Sequence, residues 1–223
     1  MRLILIRHGQ TNANVQHRLD TAPPGASLSP TGLEQADRLA ERLAGEPIEA
    51  VWTSDLVRAR QTAAPLAAAR RLVPVVRTGL REVQAGDFEG QEWTPYVAIL
   101  SSWQSDPGRR LPGSESGTEF FARFNAAMAE LEAERHSCAA VVSHGGALRV
   151  WLTTTLGADL PVAPGTAWFL ENTAHVILDG AADRWRVEHW GGTTLSDDPL
   201  ATVFRNAWAA QADRSDPALG DSR

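Results

Sequence analysis

The sequence predicts an α/β fold: three layers, α/β/α, around a mostly parallel central sheet. Two observations carry this expectation. Short aliphatic runs alternate with longer segments of helical period, and several of the aliphatic runs end in arginine, histidine, glutamate or glycine, as strands emptying into loops do. Within 223 residues, 43% of them apolar, there is enough hydrophobic surface for one full domain with its own core. Sheets of this type are covered on both faces, and their ligands sit beyond the carboxyl ends of the strands.

The elements follow in order. Residues 2–6, Arg-Leu-Ile-Leu-Ile, form a buried strand that opens into Arg7-His8-Gly9. From 29 to 44 the period becomes helical: Leu33, Ala36, Leu39, Ala40 and Leu43 make an apolar stripe, with Glu34, Asp37, Arg38, Glu41 and Arg42 off it. Ser29-Pro30 supplies the N-cap and first turn, and Gly45 the stop. Residues 48–53 read as a second strand, and Ser54 or Asp55 then caps a helix running to 69. Residues 72–76 read as a third strand. The stretch 82–117 is polar and aromatic, too long for a simple connection, and predicts a helical and looped insert over the rim of a site. A helix follows over 118–135, a fourth strand over 139–143, a helix over 147–156, and a hairpin from 174–178 and 185–190. One domain spans 1–210, and the polar tail 211–223 is expected to be mobile.

Charge and cysteine usage narrow the function classes. A net charge of −6 lacks the basic footprint of a nucleic-acid binder, so no nucleic acid is expected as partner. The single cysteine, Cys138, excludes an intramolecular disulfide and reads as a small buried hydrophobe at the start of a strand. No apolar stretch approaches spanning length, and the N-terminal run is too short for a signal peptide. The expectation is no membrane association and a cytoplasmic location.

The parallel-sheet rule gathers four segments on one rim: Arg7-His8-Gly9, residues 54–58 with Arg58, Arg81-Glu82, and His144-Gly145-Gly146. These residue types suit phosphoryl transfer. Arginine grips two phosphoryl oxygens with its planar fork of donors. A neutral imidazole can attack phosphorus and hold the group covalently. A carboxylic acid can protonate the leaving oxygen and then activate water. Glycine after each histidine, Gly9 and Gly145, lets the backbone approach an anion and leaves N–H groups free to face it. Taken singly, each has a plainer explanation: a core histidine, an arginine on a solvated helix face, a glutamate paired with Arg81 or Arg77, a tight turn at His144. None of these explains why all five chemistry-bearing side chains share one rim.

Arg7-His8-Gly9-Gln10-Thr11 followed by Asn14 resembles the signature of the histidine phosphatase superfamily, in its phosphoglycerate-mutase-like branch. The similarity continues through 28–32 with Gln35-Ala36, Ser54-Asp55-Leu56 with Arg58-Ala59 and Gln61-Thr62, Leu80-Arg81-Glu82 with 86–90, 112–116, and Ser143-His144-Gly145-Gly146. The matches keep the family's order from residue 2 to about 150. The resemblance implies a phosphoglycerate-mutase-like fold and a metal-independent phosphomonoester phosphatase acting on a small phosphorylated metabolite. His8 would become phosphohistidine, with Arg7, Arg58 and His144 around the transferred group. Asn14 would add a donor, Glu82 would be the general acid, and no cofactor would be needed. Gly9, Gly145 and Thr21 complete the expected substrate-binding set.

There is one departure. Where related mutases often carry Thr-Gly, this sequence has Asp20-Thr21, and an acidic side chain there would disfavour a second anion. A mutase also needs basic and aromatic residues in the insert; here Trp93, Tyr96, Trp103, Arg109 and Arg110 stand there, either as a substrate mouth and anion site or as a helix anchor and surface charge. Phosphatase is the reading, with a mutase-type phosphotransferase or a non-catalytic phosphate-ligand-binding member as alternatives. Apolar residues at helical spacing in 200–208 could pack on the core or, in a homodimer, on a second subunit.

Overall fold

The computed structural model describes residues 1–92, 96, 99–100, 102–103, 105–110, 112–159, 161, 168–181 and 184–194. The expectations for Trp93, 200–208 and the tail lie outside these residues. The central sheet has the order β3-β2-β4-β1-β6-β7. Its strands are β1 Arg2–Arg7, β2 Ala50–Thr53, β3 Val75–Val76, β4 Cys138–Ser143, β6 His175–Ala181 and β7 Arg184–Trp190. β3, β2, β4 and β1 run parallel, β6 is antiparallel to β1, and β6 and β7 form the expected hairpin. A separate two-stranded pair joins β5 Trp168–Leu170 to β8 Gly192–Thr194.

Strand β1 shows why the sheet is a middle layer. Its side chains alternate between two cores, Leu3 and Leu5 in one, Ile4 and Ile6 in the other, all fully buried. A strand buried on both faces has no need of polar alternation, which is why it reads as an unbroken aliphatic run. On the Ile4 and Ile6 side lie α2 Pro30–Arg42, through Leu39, and α3 Val57–Ala68, through Ala59, Ala63 and Leu66. On the Leu3 and Leu5 side lie α4 Gly117–Ala133, through Phe120 and Phe124, and α5 Gly145–Leu156, through Leu148 and Trp151. A short α1, Asn12–Val15, follows β1.

Several expected boundaries moved, each for a local reason. β3 is two residues rather than five, since Pro74 has no N–H for a ladder and Val73 points to solvent. Neither Ser54 nor Asp55 caps α3. Its N-cap is Leu56, while Ser54 Oγ accepts the Leu56 N–H and Asp55 is held by Arg81. Helix α4 starts a residue earlier than expected, on a capping box in which Ser116 and Glu119 bond each other's backbone. Cys138 is buried, and burial pushes its thiol up to about 11, so it is a packing residue.

Candidate active site

The carboxyl ends of β1, β2 and β4 do open on one rim, and a cavity of about 120 Å³ lies over it. At roughly 10–15 Å³ per water this is the space of about ten waters, enough for a phosphoryl group and the start of its leaving group. Arg7, His8, Arg58, Glu82 and Gly145 line it, with Asn14, Asp20, Thr21 and Arg149, and Leu19, Tyr96, Leu100 and Phe169 form its apolar walls.

His8, at the end of β1, is buried, and both ring nitrogens are committed. Nδ1 lies 2.7 Å from the Gly9 carbonyl, and Nε2 lies 3.0 Å from Arg58 Nε. A guanidinium Nε–H can only donate, so His8 Nε2 is an acceptor and the ring proton sits on Nδ1. Burial, then the charges of Arg58 and Arg7, hold the imidazole well below its usual range, so the neutral ring is the resting form. Asn172 Nδ2 donates to the His8 carbonyl at 3.1 Å and to Asn14 Oδ1 at 3.2 Å. Asn14 Oδ1 also accepts the Thr11 N–H, which leaves the Asn14 NH₂ for a ligand.

Arg58 lies on the first turn of α3 and is 3% exposed, which rules out a solvated helix face. Asp20 Oδ2 lies 3.4 Å from its Nη1 and is itself anchored by the Ala26 N–H at 2.8 Å. Gly25, at φ +71°, packs so closely that a Cβ there would sit 2.5 Å from Arg58 Nη1. Burial lowers the Arg58 pKa, with Asp20 the chief influence pulling it back up.

Arg7 lines the cavity, whereas His144 is fully buried and is not among the residues of its wall. Burial brings the Arg7 guanidinium down to about 10, against the pull of Glu82. Among the described residues, Arg7 Nε and both nitrogens of His144 are buried without a hydrogen-bond partner. The His144 ring meets that of His8 edge-on, centroids 5.2 Å apart. Burial, then the charge of Arg58, holds the His144 imidazole well below its usual range, so one of its two nitrogens is a donor; that donor and Arg7 Nε, buried and unsatisfied beside an unprotonated imidazole, fit an anion that supplies the missing acceptors.

Glu82 is not a surface partner of Arg81 or Arg77, which pair with Asp55 and Glu130. Its carboxyl faces the N-terminus of α5. Oε2 accepts the Gly146 N–H at 2.9 Å, and Oε1 accepts those of Ala147 and Val83 at 2.6 and 2.8 Å. Burial nonetheless raises its pKa, outweighing these bonds. With Oε1 doubly occupied, Oε2 has the free lone pair and is the oxygen placed to carry a proton. Arg123 fixes the segment from behind, donating to the carbonyls of Gly79, Arg81 and Glu82 and to both oxygens of Glu115.

The glycine expectation needs correcting. The Gly9 N–H donates to Thr62 Oγ1 at 2.9 Å and is not free for an anion, and a Gly9 Cβ would meet the Gly32 carbonyl at 2.7 Å. Gly9 serves close packing of two loops. The Gly146 N–H is likewise spent on Glu82, and a Cβ there would stand 2.8 Å from Glu82 Oε1. Gly145 does line the cavity, beside Arg7 Nε. Thr21 reaches the wall, but its hydroxyl already donates to Glu89 and accepts the Ala85 N–H.

In the insert, Tyr96 lines the cavity with its hydroxyl on the Val83 carbonyl, whereas Trp103 is an anchor stacked near Phe120. Arg109 and Arg110 are exposed and absent from the cavity wall, and Arg110 pairs with Glu119. Sequence reasoning missed Arg149 and Asn172. Arg149 had a signal, standing one helical turn after Gly145 on the same face of α5. Asn172 had none, because its partners come from β1 and α1.

A family model described as "Histidine phosphatase superfamily (branch 1)" matches residues 3–193. A protein named "Probable phosphoglycerate mutase GpmB" from Proteus mirabilis (strain HI4320) is 32% identical over 88% of this chain and 93% of its own length. "PE-PGRS family protein PE_PGRS11" from Mycobacterium tuberculosis is 45% identical over 89% of this chain, which spans 38% of that longer protein. Among solved structures, a mycobacterial glucosyl-3-phosphoglycerate phosphatase in complex with VO3 superposes with a TM-score of 0.71, at 32% identity over 86% of this chain and 99% of that one. The alpha-ribazole phosphatase from Shigella flexneri gives 0.68, at 26% identity over 86% and 96%. No helix among the described residues is long and apolar enough to cross a membrane. With a family match over nearly its whole length, the chain belongs to the histidine phosphatase superfamily, branch 1.

Proposed function

We propose that this protein is a phosphomonoester phosphatase that works through a phosphohistidine on His8, without metal or organic cofactor. The observation that carries the reading is the phosphoryl-sized cluster itself: an unprotonated His8 Nε2 beside the partnerless donors of Arg7 and His144, with Glu82 on the same cavity. The phosphatase names among the structural relatives support it.

In this reading a substrate phosphate oxygen takes over the Arg58 Nε–H, freeing the His8 lone pair. Nε2 attacks phosphorus, the bond from phosphorus to the leaving oxygen breaks, and that oxygen takes the proton from Glu82 Oε2. Arg7, Arg58 and His144 carry the charge that builds on the equatorial oxygens. Water then attacks the phosphohistidine while the Glu82 carboxylate accepts its proton. The P–N bond breaks, its electron pair returns to Nε2, and inorganic phosphate leaves. A mutase would have to hold a second anionic group while the intermediate reorients, and the arginine pair in the insert does not line the cavity.

The test is phosphate release from a panel of small phosphomonoesters by wild type and His8→Ala, both in excess chelator. Release by the wild type alone supports the reading. Release only after adding a metal, or no release from any compound, would overturn it.

A further inference from the structure

We infer that Asp20 is a specificity-determining residue, setting the charge of the leaving group this cavity accepts. The inference rests on the phosphatase reading above. Four observations combine to carry it. Asp20 lines the same cavity as His8, Arg7 and Glu82. Its carboxylate is fixed rather than free to swing away, with Oδ2 on the Ala26 N–H at 2.8 Å and on Arg58 Nη1 at 3.4 Å. Gly25 packs closely against the same Nη1 atom, and Arg58 Nε donates to His8. Among the described residues no hydrogen bond engages Asp20 Oδ1, and Asp20 stands on the cavity wall.

The consequence is electrostatic. Asp20 takes up part of the positive field of Arg58, and it places a negative charge on the wall of the cavity that a leaving group would occupy. Beside it the walls are apolar, Leu19, Tyr96, Leu100 and Phe169, which screen poorly. A leaving group that is uncharged next to the phosphate, such as a polyol or sugar hydroxyl, meets no repulsion. One with a carboxylate or second phosphate close to the ester meets Asp20. Arg18 and Arg149 also line the cavity, but their positive contribution is common to every Asp20 variant, so a comparison between variants isolates the carboxylate.

The experiment uses two substrates that differ in one group, glycerol 3-phosphate and 3-phosphoglycerate, a hydroxymethyl in one standing where the other has a carboxylate. The quantity read is the ratio of kcat/KM for 3-phosphoglycerate to that for glycerol 3-phosphate, in wild type, Asp20→Asn and Asp20→Ser. Asn keeps an oxygen for the Ala26 N–H, and Ser removes the charge by a different route should the first variant fail to fold. Thermal melting reports folding. With the repulsion partly offset by Arg58, the expected rise in the ratio is about fivefold or more in both variants. An unchanged ratio, with both substrates slowed alike, would overturn the inference and leave Asp20 as a positioning residue for Arg58 only. Wild type inactive on every phosphomonoester would instead overturn the phosphatase reading, and this inference with it.

Discussion

Arg58 donates its Nε–H to His8 Nε2 across 3.0 Å, so the atom that attacks phosphorus in the proposed reaction rests as a hydrogen-bond acceptor, with the ring proton held on the other nitrogen. One arginine therefore sets the tautomer, lowers the basicity and occupies the lone pair until a phosphate oxygen competes for its N–H.

Replacing Arg58 should then have two separable effects. In Arg58→Met, loss of transition-state charge stabilisation should lower kcat/KM by about 10²–10³-fold. Arg58 is also the second cause, after burial, of the low His8 pKa, so its removal lets that pKa rise. The acid limb of the kcat/KM profile should move to higher pH. A profile that falls in height but keeps its acid limb would show that Arg58 does not tune His8.

The wild-type pH profile follows from the two shifts taken with their signs. His8 is active when unprotonated and its pKa is depressed, so activity is lost only well below the usual histidine range. Glu82 is active as an acid when protonated and its pKa is raised by burial, so activity is lost as pH climbs through that value. The profile should be a bell with its acid limb below the usual histidine range and its basic limb above the usual carboxylate range. In Glu82→Gln the basic limb should vanish, with a loss of about 10²–10⁴-fold on alkyl phosphates and much less on activated aryl phosphates. Equal losses on both classes would count against Glu82 as the acid.

How much of this was legible in sequence can be judged from particular residues. β1 and α2 were readable because their signals are local, an aliphatic run and a stripe behind the Ser29 cap; the expected stop at Gly45 was wrong, since α2 ends at Arg42 with Leu43 as its C-cap. His8, Arg58, Glu82 and His144 could be placed on one rim because strand exits in a parallel sheet share an edge. The partners of those residues were not legible. That Gly146 gives its N–H to Glu82, that Thr62 takes the Gly9 N–H, and that Asp20 holds Arg58 are contacts between segments 38 to 64 residues apart. Glycine read as an anion cradle serves here to let a carboxyl or a second loop come close.

That role of Gly146 is itself testable. A Cβ at this position would press on Glu82 Oε1 at 2.8 Å, so Gly146→Ala should displace the carboxyl. Turnover of alkyl phosphates should fall by about tenfold or more while aryl phosphates are spared, the signature of impaired proton donation. Uniform loss on both would mean that the helix entry, rather than the acid, had been disturbed.

Arg123 should matter for stability as well as for positioning. Arg123→Met leaves Glu115, 9% exposed, without its ion-pair partner and strips donors from three carbonyls. Destabilisation of about 2 kcal/mol or more is expected in denaturant titration. Double replacement with Glu115→Gln should recover part of it, and no recovery would place the cost in the carbonyls instead.

The most direct measurement of the central claim is the covalent intermediate. Wild type and His8→Ala would be mixed with a turned-over phosphomonoester, quenched within the first turnovers, and digested for peptide mapping of acid-labile, base-stable phosphate. The account predicts phosphate on the peptide that carries His8, in wild type only. Phosphate on another residue, or steady turnover by the wild type with no phosphoenzyme even when hydrolysis is slowed by Glu82→Gln, would contradict it.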